Sequence, residues 1–277
     1  MKKAISFLLC SVLLFTACLV AFAQDNSVTV YLNEYELAER MAMQTPATLA
    51  SEGFDSAEIA TLKNYKNIYR NHIASLNELS DEALQKNGYS KSQIELIRSF
   101  TGSEQEMRRL GATMTLTATT SNFRYNGNYT VGTLKYNWAW QSVPVFKMTD
   151  MLAVSWNNWT VTANSSAIKY YKVTTGEYYT QKSATFTQDS NGVLGAAHKF
   201  AVSLSDNYYY AKSGSGSFTV QSDTHSKKDF YYYISYGHSQ VQPTISFSVS
   251  AGGGEASIGF TSGTSIPASA KGSAVIK

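Results

Sequence analysis

Near residue 113 the spacing of apolar residues changes from the 3.6-residue period of a helix to the two-residue period of a strand. The predicted class is therefore α+β in two parts. A small N-terminal helical unit is expected over residues 27–112, and an all-β antiparallel sandwich over residues 113–277.

The residues ahead of the helical unit have another purpose. Lys2 and Lys3 form a basic start, Ile5 to Val20 an apolar run, and Ala21-Phe22-Ala23 a small-x-small cleavage site. Residues 1–23 thus read as a signal peptide cleaved after Ala23, and the product is expected to be secreted and extracellular. Phe15-Thr16-Ala17-Cys18 loosely resembles a lipobox, but its first position is aromatic and apolar residues continue past the cysteine, so a free product is the expectation. Cys10 and Cys18 both fall in this segment. The mature chain is then cysteine-free, which removes disulfides, thiolate metal sites and cysteine nucleophiles from consideration. No later apolar stretch approaches the roughly 20 residues of a membrane-crossing helix.

The two parts differ in charge. Residues 24–112 carry 9 Lys/Arg against 13 Asp/Glu, and residues 113–277 carry 12 against 7. Opposite signs predict that the units dock on one another, with the helical unit covering a surface of the β unit until released. Basic residues never run longer than two, so a nucleic-acid partner is not expected.

The helical unit repeats itself at an offset of 35 residues: Thr45 aligns with Ser80, Leu49 with Leu84, Gly53 with Gly88, Phe54 with Tyr89, Ile59 with Ile94, Leu62 with Ile97 and Tyr65 with Phe100. In each copy Thr45 or Ser80 caps a short helix that the following glycine ends. Asp55 with Glu58, and Ser90 with Gln93, fit capping boxes for a second, longer helix. The stripe Ile59, Leu62, Tyr65, Tyr69, His72, Leu76 has helical spacing, which makes His72 a core or edge histidine. Ser103 with Glu106 opens a last short helix, and Gly111 closes the unit. The leucine-glycine-aromatic layout resembles ubiquitin-associated-like helical modules, and the period resembles that of tetratricopeptide arrays, whose signature residues are absent. Two 35-residue helix-pair repeats forming a small bundle are expected.

In the β half, Asn126-Gly127 and Asn191-Gly192 are hairpin signals, and Thr175-Gly176 and Ser213-Gly214 mark further turns, giving nine or ten strands. Alternation sends Trp138, Trp140, Trp156 and Trp159 inward. In the strand from Phe230 it sends Phe230, Tyr232, Ile234 and Tyr236 inward and leaves Tyr231 and Tyr233 outward. An exposed row of tyrosines can stack on sugar rings or meet a protein partner, so Tyr231 and Tyr233 are the candidate binding residues.

The stretch Tyr136-x-Trp138-x-Trp140, Pro144, Asp150 and Ala153-Val154-x-Trp156, with Tyr236-Gly237-His238-Ser239 later, resembles uncharacterised secreted proteins of Gram-positive bacteria that have a helical front and a β back. That resemblance implies no activity, cofactor or catalytic residue.

The residues offer little for catalysis. Zinc-binding histidine motifs, a P-loop and a GxSxG elbow are all missing. The parity of His198 and His238 points both inward, where Asp150 or Asp229 would complete an acid/base or metal pair if the fold brought them together; His225 reads as a loop residue. The expectation is a protein that is not an enzyme, with no cofactor and no metal. It would bind a cell-wall glycan or a surface protein at or outside the cell surface. The alternative is a membrane-active or pore-forming β-protein, in which the segment from Thr244 to Ile266, two alternating runs around a Gly-rich tip, inserts as a hairpin. Membrane contact is expected only under that alternative.

Overall fold

The structure is a computed structural model and describes residues 27–156, 158–222, 229–241, 245–252, 255–260 and 265–275. The signal segment, His225 and Thr244 lie outside these residues. The chain opens with a strand, β1 (Ser27–Asn33), so the first seven residues assigned to the helical unit are extended. They pair antiparallel with β2 (Thr113–Asn126) from Ser27↔Thr119 to Asn33↔Thr113, and the ladder continues into the bond from Glu34 N–H to Ala112 C=O, 2.9 Å. All the helices of the described residues are therefore an excursion between two hydrogen-bonded neighbours.

That excursion contains seven helices among the described residues: α1 (Glu34–Met43), α2 (Pro46–Ser51), α3 (Ser56–Lys63), α4 (Tyr65–Asn77), α5 (Asp81–Asn87), α6 (Lys91–Arg98) and α7 (Glu104–Leu110). Local chemistry sets their ends. Thr45 and Ser80 cap α2 and α5, and Asp55, Ser90 and Ser103 form complete capping boxes with Glu58, Gln93 and Glu106. Gly53 and Gly88 follow α2 and α5 with φ of 89° and 103°, where a side chain would be strained. The expected longer helix after Asp55 is broken at Asn64 into α3 and α4. The break lets each piece serve a different core. Leu62 of α3 packs with Met41, Leu49, Phe54 and Val241, whereas Tyr65, Tyr69, Ile73 and Leu76 of α4 pack with Tyr35, Leu84, Tyr89, Ile94, Ile97 and Met107.

The β half holds more strands than expected. After β2 come β3 (Tyr129–Trp140), β4 (Thr149–Ser155), β5 (Trp159–Lys172), β6 (Tyr178–Lys182), β7 (Thr185–Gln188), β8 (Gly195–Ala201), β9 (Ser203–Leu204), β10 (Tyr209–Ser222), β11 (Asp229–His238), β12 (Phe247–Gly252), β13 (Glu255–Phe260) and β14 (Ser265–Val275). One antiparallel sheet runs β1-β2-β3-β10-β5-β6, with β9 also on β10, and a second runs β14-β11-β4-β8-β7. Their inner faces form an aromatic core. Trp138 stacks on Phe200 at 4.9 Å and 8°, Phe218 on His198 at 4.5 Å and 16°, and Phe123 lies 4.9 Å from Phe230. All four tryptophans are buried, as alternation required.

Ser213-Gly214 is not a turn, because it lies inside β10. Gly214 is opposite Trp138 and Gly216 opposite Tyr136 on β3, and a Cβ on either glycine would sit within 2.6 Å or 2.3 Å of the ring system or phenol facing it. The glycines make room for flat side chains laid across the neighbouring strand. Asn191-Gly192 does belong to a turn, but a longer one, in which the Asp189 carboxylate accepts from the N–H groups of Asn191, Leu194 and Gly195 at 3.0 Å each.

The pair β12 and β13 forms a third, two-stranded layer. Ile245, Phe247, Ile258 and Phe260 pack against Met151, Ala153 and Ala197 on the outer face of the second sheet. In this structure the described part of the hairpin spends its apolar side on the protein's own sheet. No helix of the described residues is long and apolar enough to cross a membrane.

Candidate functional site

Asp150 and His238 face one another directly across the β4 and β11 ladder. Their side chains meet on the inner face, with His238 Nδ1 at 2.9 and 3.0 Å from the two Asp150 oxygens. The other ring nitrogen, Nε2, is 3.0 Å from Oε1 of Glu34, the first residue of α1. Only an imidazolium donates from both nitrogens, so the ring is charged. Burial alone would push its pKa down. The Asp150 carboxylate, then that of Glu34, outweigh this and raise it to about 10.

The carboxylates are further satisfied. Glu34 accepts from the N–H groups of Val145 and Phe146, each at 2.8 Å, and from the Tyr69 hydroxyl at 3.1 Å. Asp150 accepts from the Tyr236 hydroxyl at 2.7 Å and from Ser239 N–H at 3.2 Å. Glu34, Asp150 and His238 are all fully buried. The cluster ties a helix start, the β3–β4 connection and two strands through one cation. It is a clasp closed to solvent, with all three charged side chains at zero exposure and bonded inside the protein.

His198 lies elsewhere in the same sheet. It is paired with Leu152, whereas His238 is paired with Asp150, so the two histidines are separated by β4 and do not form a pair. Its Nδ1 accepts from the Tyr136 hydroxyl at 2.6 Å, and Nε2 is 3.3 Å from Asn164 Oδ1. Burial pushes its pKa down to about 4, leaving a neutral ring whose Nε2 proton satisfies Asn164. Asp229 is at the far end of β11 from His238. His72, on α4, is half-buried, and burial with Lys147 nearby lowers its pKa to about 4. Ile73, not His72, carries the α4 stripe into the core. Among the described residues no group of three or more His, Cys, Asp or Glu is placed to hold a metal ion.

Sequence parity pointed His238 inward and left Asp150 and Asp229 as alternative partners, of which the fold supplies Asp150; it missed Glu34. That residue reads as an ordinary first-turn acid, and its role depends on a contact 204 residues away.

Tyr231 projects from the outer face of the second sheet and is 56% exposed, while Tyr233, on the same face, is half-buried. Phe230, Tyr232, Ile234 and Tyr236 point inward, as expected. A second group of tyrosines lies at the far edge of the first sheet, where Tyr178, Tyr179 and Tyr208 are 56%, 52% and 42% exposed.

No protein-family model matches the chain, and no curated protein matches it by sequence. Among solved structures it is similar to a collagen-binding domain from a Staphylococcus aureus adhesin, at 8% identity and a TM-score of 0.26 over 57% of this chain and 94% of that one. It is also similar to the C-terminal domain of the Streptococcus agalactiae AgI/II polypeptide BspA, at 9% identity and a TM-score of 0.27 over 53% and 56%. A structure described as a pore forming protein matches at 8% identity and a TM-score of 0.26 over 58% and 85%. Adhesin domain and pore former score alike, and at this level the likeness carries no argument about function.

Proposed function

We propose that the protein is a secreted, non-catalytic binding protein that acts at or outside the cell surface on a glycan, a cell-wall polymer or a surface protein. In this reading the helical unit is two copies of one helix pair, built into the sandwich as a fixed part of it. The observation that supports binding over catalysis is the division of labour among polar side chains. The histidine and carboxylates with catalytic potential are bonded to one another and sealed from solvent, whereas aromatic residues with hydroxyl tips stand on the surface.

Tyr231 and Tyr233 are the first residues to test. Replacing both by alanine and titrating the full chain against isolated cell walls and immobilised surface proteins is expected to weaken binding roughly tenfold or more. Unchanged affinity would remove these two residues from the ligand site. Dye release from liposomes by the intact chain would instead favour the membrane-active reading, which requires Ile245, Phe247, Ile258 and Phe260 to leave the sheet they cover.

A further inference from the structure

The two flanks of the sandwich end differently. On one, the edge strands β1 and β14 lie against each other, with α1 beside both. On the other, the sheets end in β6 and β7, which follow one another in the chain and, among the described residues, have a hydrogen-bonded strand on one side only. An edge strand leaves a row of backbone N–H and C=O groups free to pair, and proteins blunt such an edge with charge, proline or a bulge. The edge of β6 carries Lys182. That of β7 has none of these devices: residues 183–188 read Ser-Ala-Thr-Phe-Thr-Gln, without a charge, a proline or a glycine, and β7 meets β8 with no shift of register.

We propose that β7 pairs antiparallel with β7 of a second copy of this chain, about a two-fold axis at Phe186, joining two five-stranded sheets across the axis. The side chains of this edge are matched to themselves. Directly opposite residues of an antiparallel ladder share a face, so the axis must set one residue against its own copy. With Phe186 there, its half-buried ring, 5.8 Å from His198 and 6.2 Å from Phe218 on the inner face, extends the aromatic core onto the same ring of the second copy. Thr185 then faces Thr187 of the second copy twice, a favourable cross-strand pair.

Charge selects a second copy over an unrelated strand. The uncharged segment is flanked by the exposed Lys182 on its N-terminal side and by Asp189 on its C-terminal side. Antiparallel self-pairing brings the Lys182 end of each copy to the Asp189 end of the other, where the Asp189 carboxylate is already held in place by the N–H groups of its own turn. Parallel pairing would set like charges together. Lys199, opposite Thr185 on β8, stays a strand back from the contact. A contact centred on so short a strand is small, so the dimer is concentration-dependent, with a dissociation constant of about 1 µM to 0.5 mM. Pairing also presents any ligand surface of the chain twice, whatever the ligand is.

Sedimentation velocity of the full chain from about 1 µM to 0.5 mM tests this: the weight-average mass should rise from one chain toward two and stop there. Thr185→Lys, which puts an ammonium on the edge, should weaken association roughly tenfold or more. Lys182→Glu should weaken it too and reverse its salt response, since the wild type associates less as salt is raised and the variant more. Both side chains are exposed, so the melting temperature of the dilute chain should be unchanged in either variant, which separates lost pairing from lost fold. A chain that stays monomeric throughout, a mass that grows past two chains, association undiminished by Thr185→Lys, or a salt response not reversed by Lys182→Glu would each overturn the pairing.

Discussion

His238 is the residue on which most polar contacts converge. A buried cation between two buried carboxylates contributes little beyond a well-packed apolar substitute, but losing one partner is costly, because the charges left behind have no solvent. His238→Gln is therefore expected to destabilise the fold by roughly 3–5 kcal/mol, read as a shift in the urea midpoint. A loss below about 1 kcal/mol would mean that water reaches the clasp. The same residue sets an alkaline limit. Its pKa in the folded chain, about 10, lies above the ordinary 6.5, so its contribution is complete below pH 6.5 and is lost as pH rises toward 10. His72 and His198 act in the opposite sense. Their folded values of about 4 lie below 6.5, so the unfolded chain takes up protons first and stability falls as pH drops from 6.5 toward 4. Melting temperature measured across pH should be highest near neutrality and fall on both sides; a flat alkaline limb would contradict the charged clasp. Strand parity was enough to point His198 and His238 inward. It could not pair either with its partner, since Glu34, Tyr136 and Asn164 reach them only through tertiary contact.

Among the elements, β10 shows how a local signal misleads. Ser-Gly-Ser-Gly has the composition of a turn, yet here it is a strand pressed under Trp138 and Tyr136. What requires glycine is a side chain on another strand, which local composition does not report. Gly214→Ala and Gly216→Ala should each cost about 1–3 kcal/mol by overpacking, and the first should also disturb the near-ultraviolet signal of Trp138. Unchanged stability would show that those rings can move aside. Gly88 combines both constraints, with φ of 103° and a Cβ position only 1.9 Å from the Gln141 carbonyl oxygen. At the β9–β10 turn the sign reverses. Ser205, at φ 50°, sits in the left-handed region; Ser205→Gly removes a penalty of roughly 1–2 kcal/mol against the roughly 0.5–1 kcal/mol that glycine's freedom in the unfolded chain costs, and should raise stability by up to about 1 kcal/mol. A lower melting temperature would argue against strain there. The helix caps were the most legible elements, because Thr45, Asp55, Ser80, Ser90 and Ser103 act within three residues of themselves.

At the scale of the molecule, the helical unit is held at both ends by the β1 and β2 pair and along its side by a core shared with Val143, Phe146 and Tyr210. A lid released by cutting its connector is not what this topology provides. The connecting residue Ala112 is buried, and its carbonyl accepts from Glu34 N–H. Proteolysis between Gly111 and Thr115 should therefore be no faster than global unfolding, and helix ellipticity and tryptophan fluorescence should be lost in one transition. Early cleavage there, or two separate transitions, would show that the units open independently. The amino-acid sequence by itself determined the α+β class, the caps, the inward tryptophans and the outward Tyr231, because period, capping and parity act over a few residues. Only the tertiary structure decided that Ser27–Asn33 is a strand, that the helices are inserted between paired strands, that Glu34 closes on His238, and that β7 is left at the edge of its sheet. Each of these depends on which distant segments become neighbours, and that is set by the packing of the two sheets and the bundle as a whole.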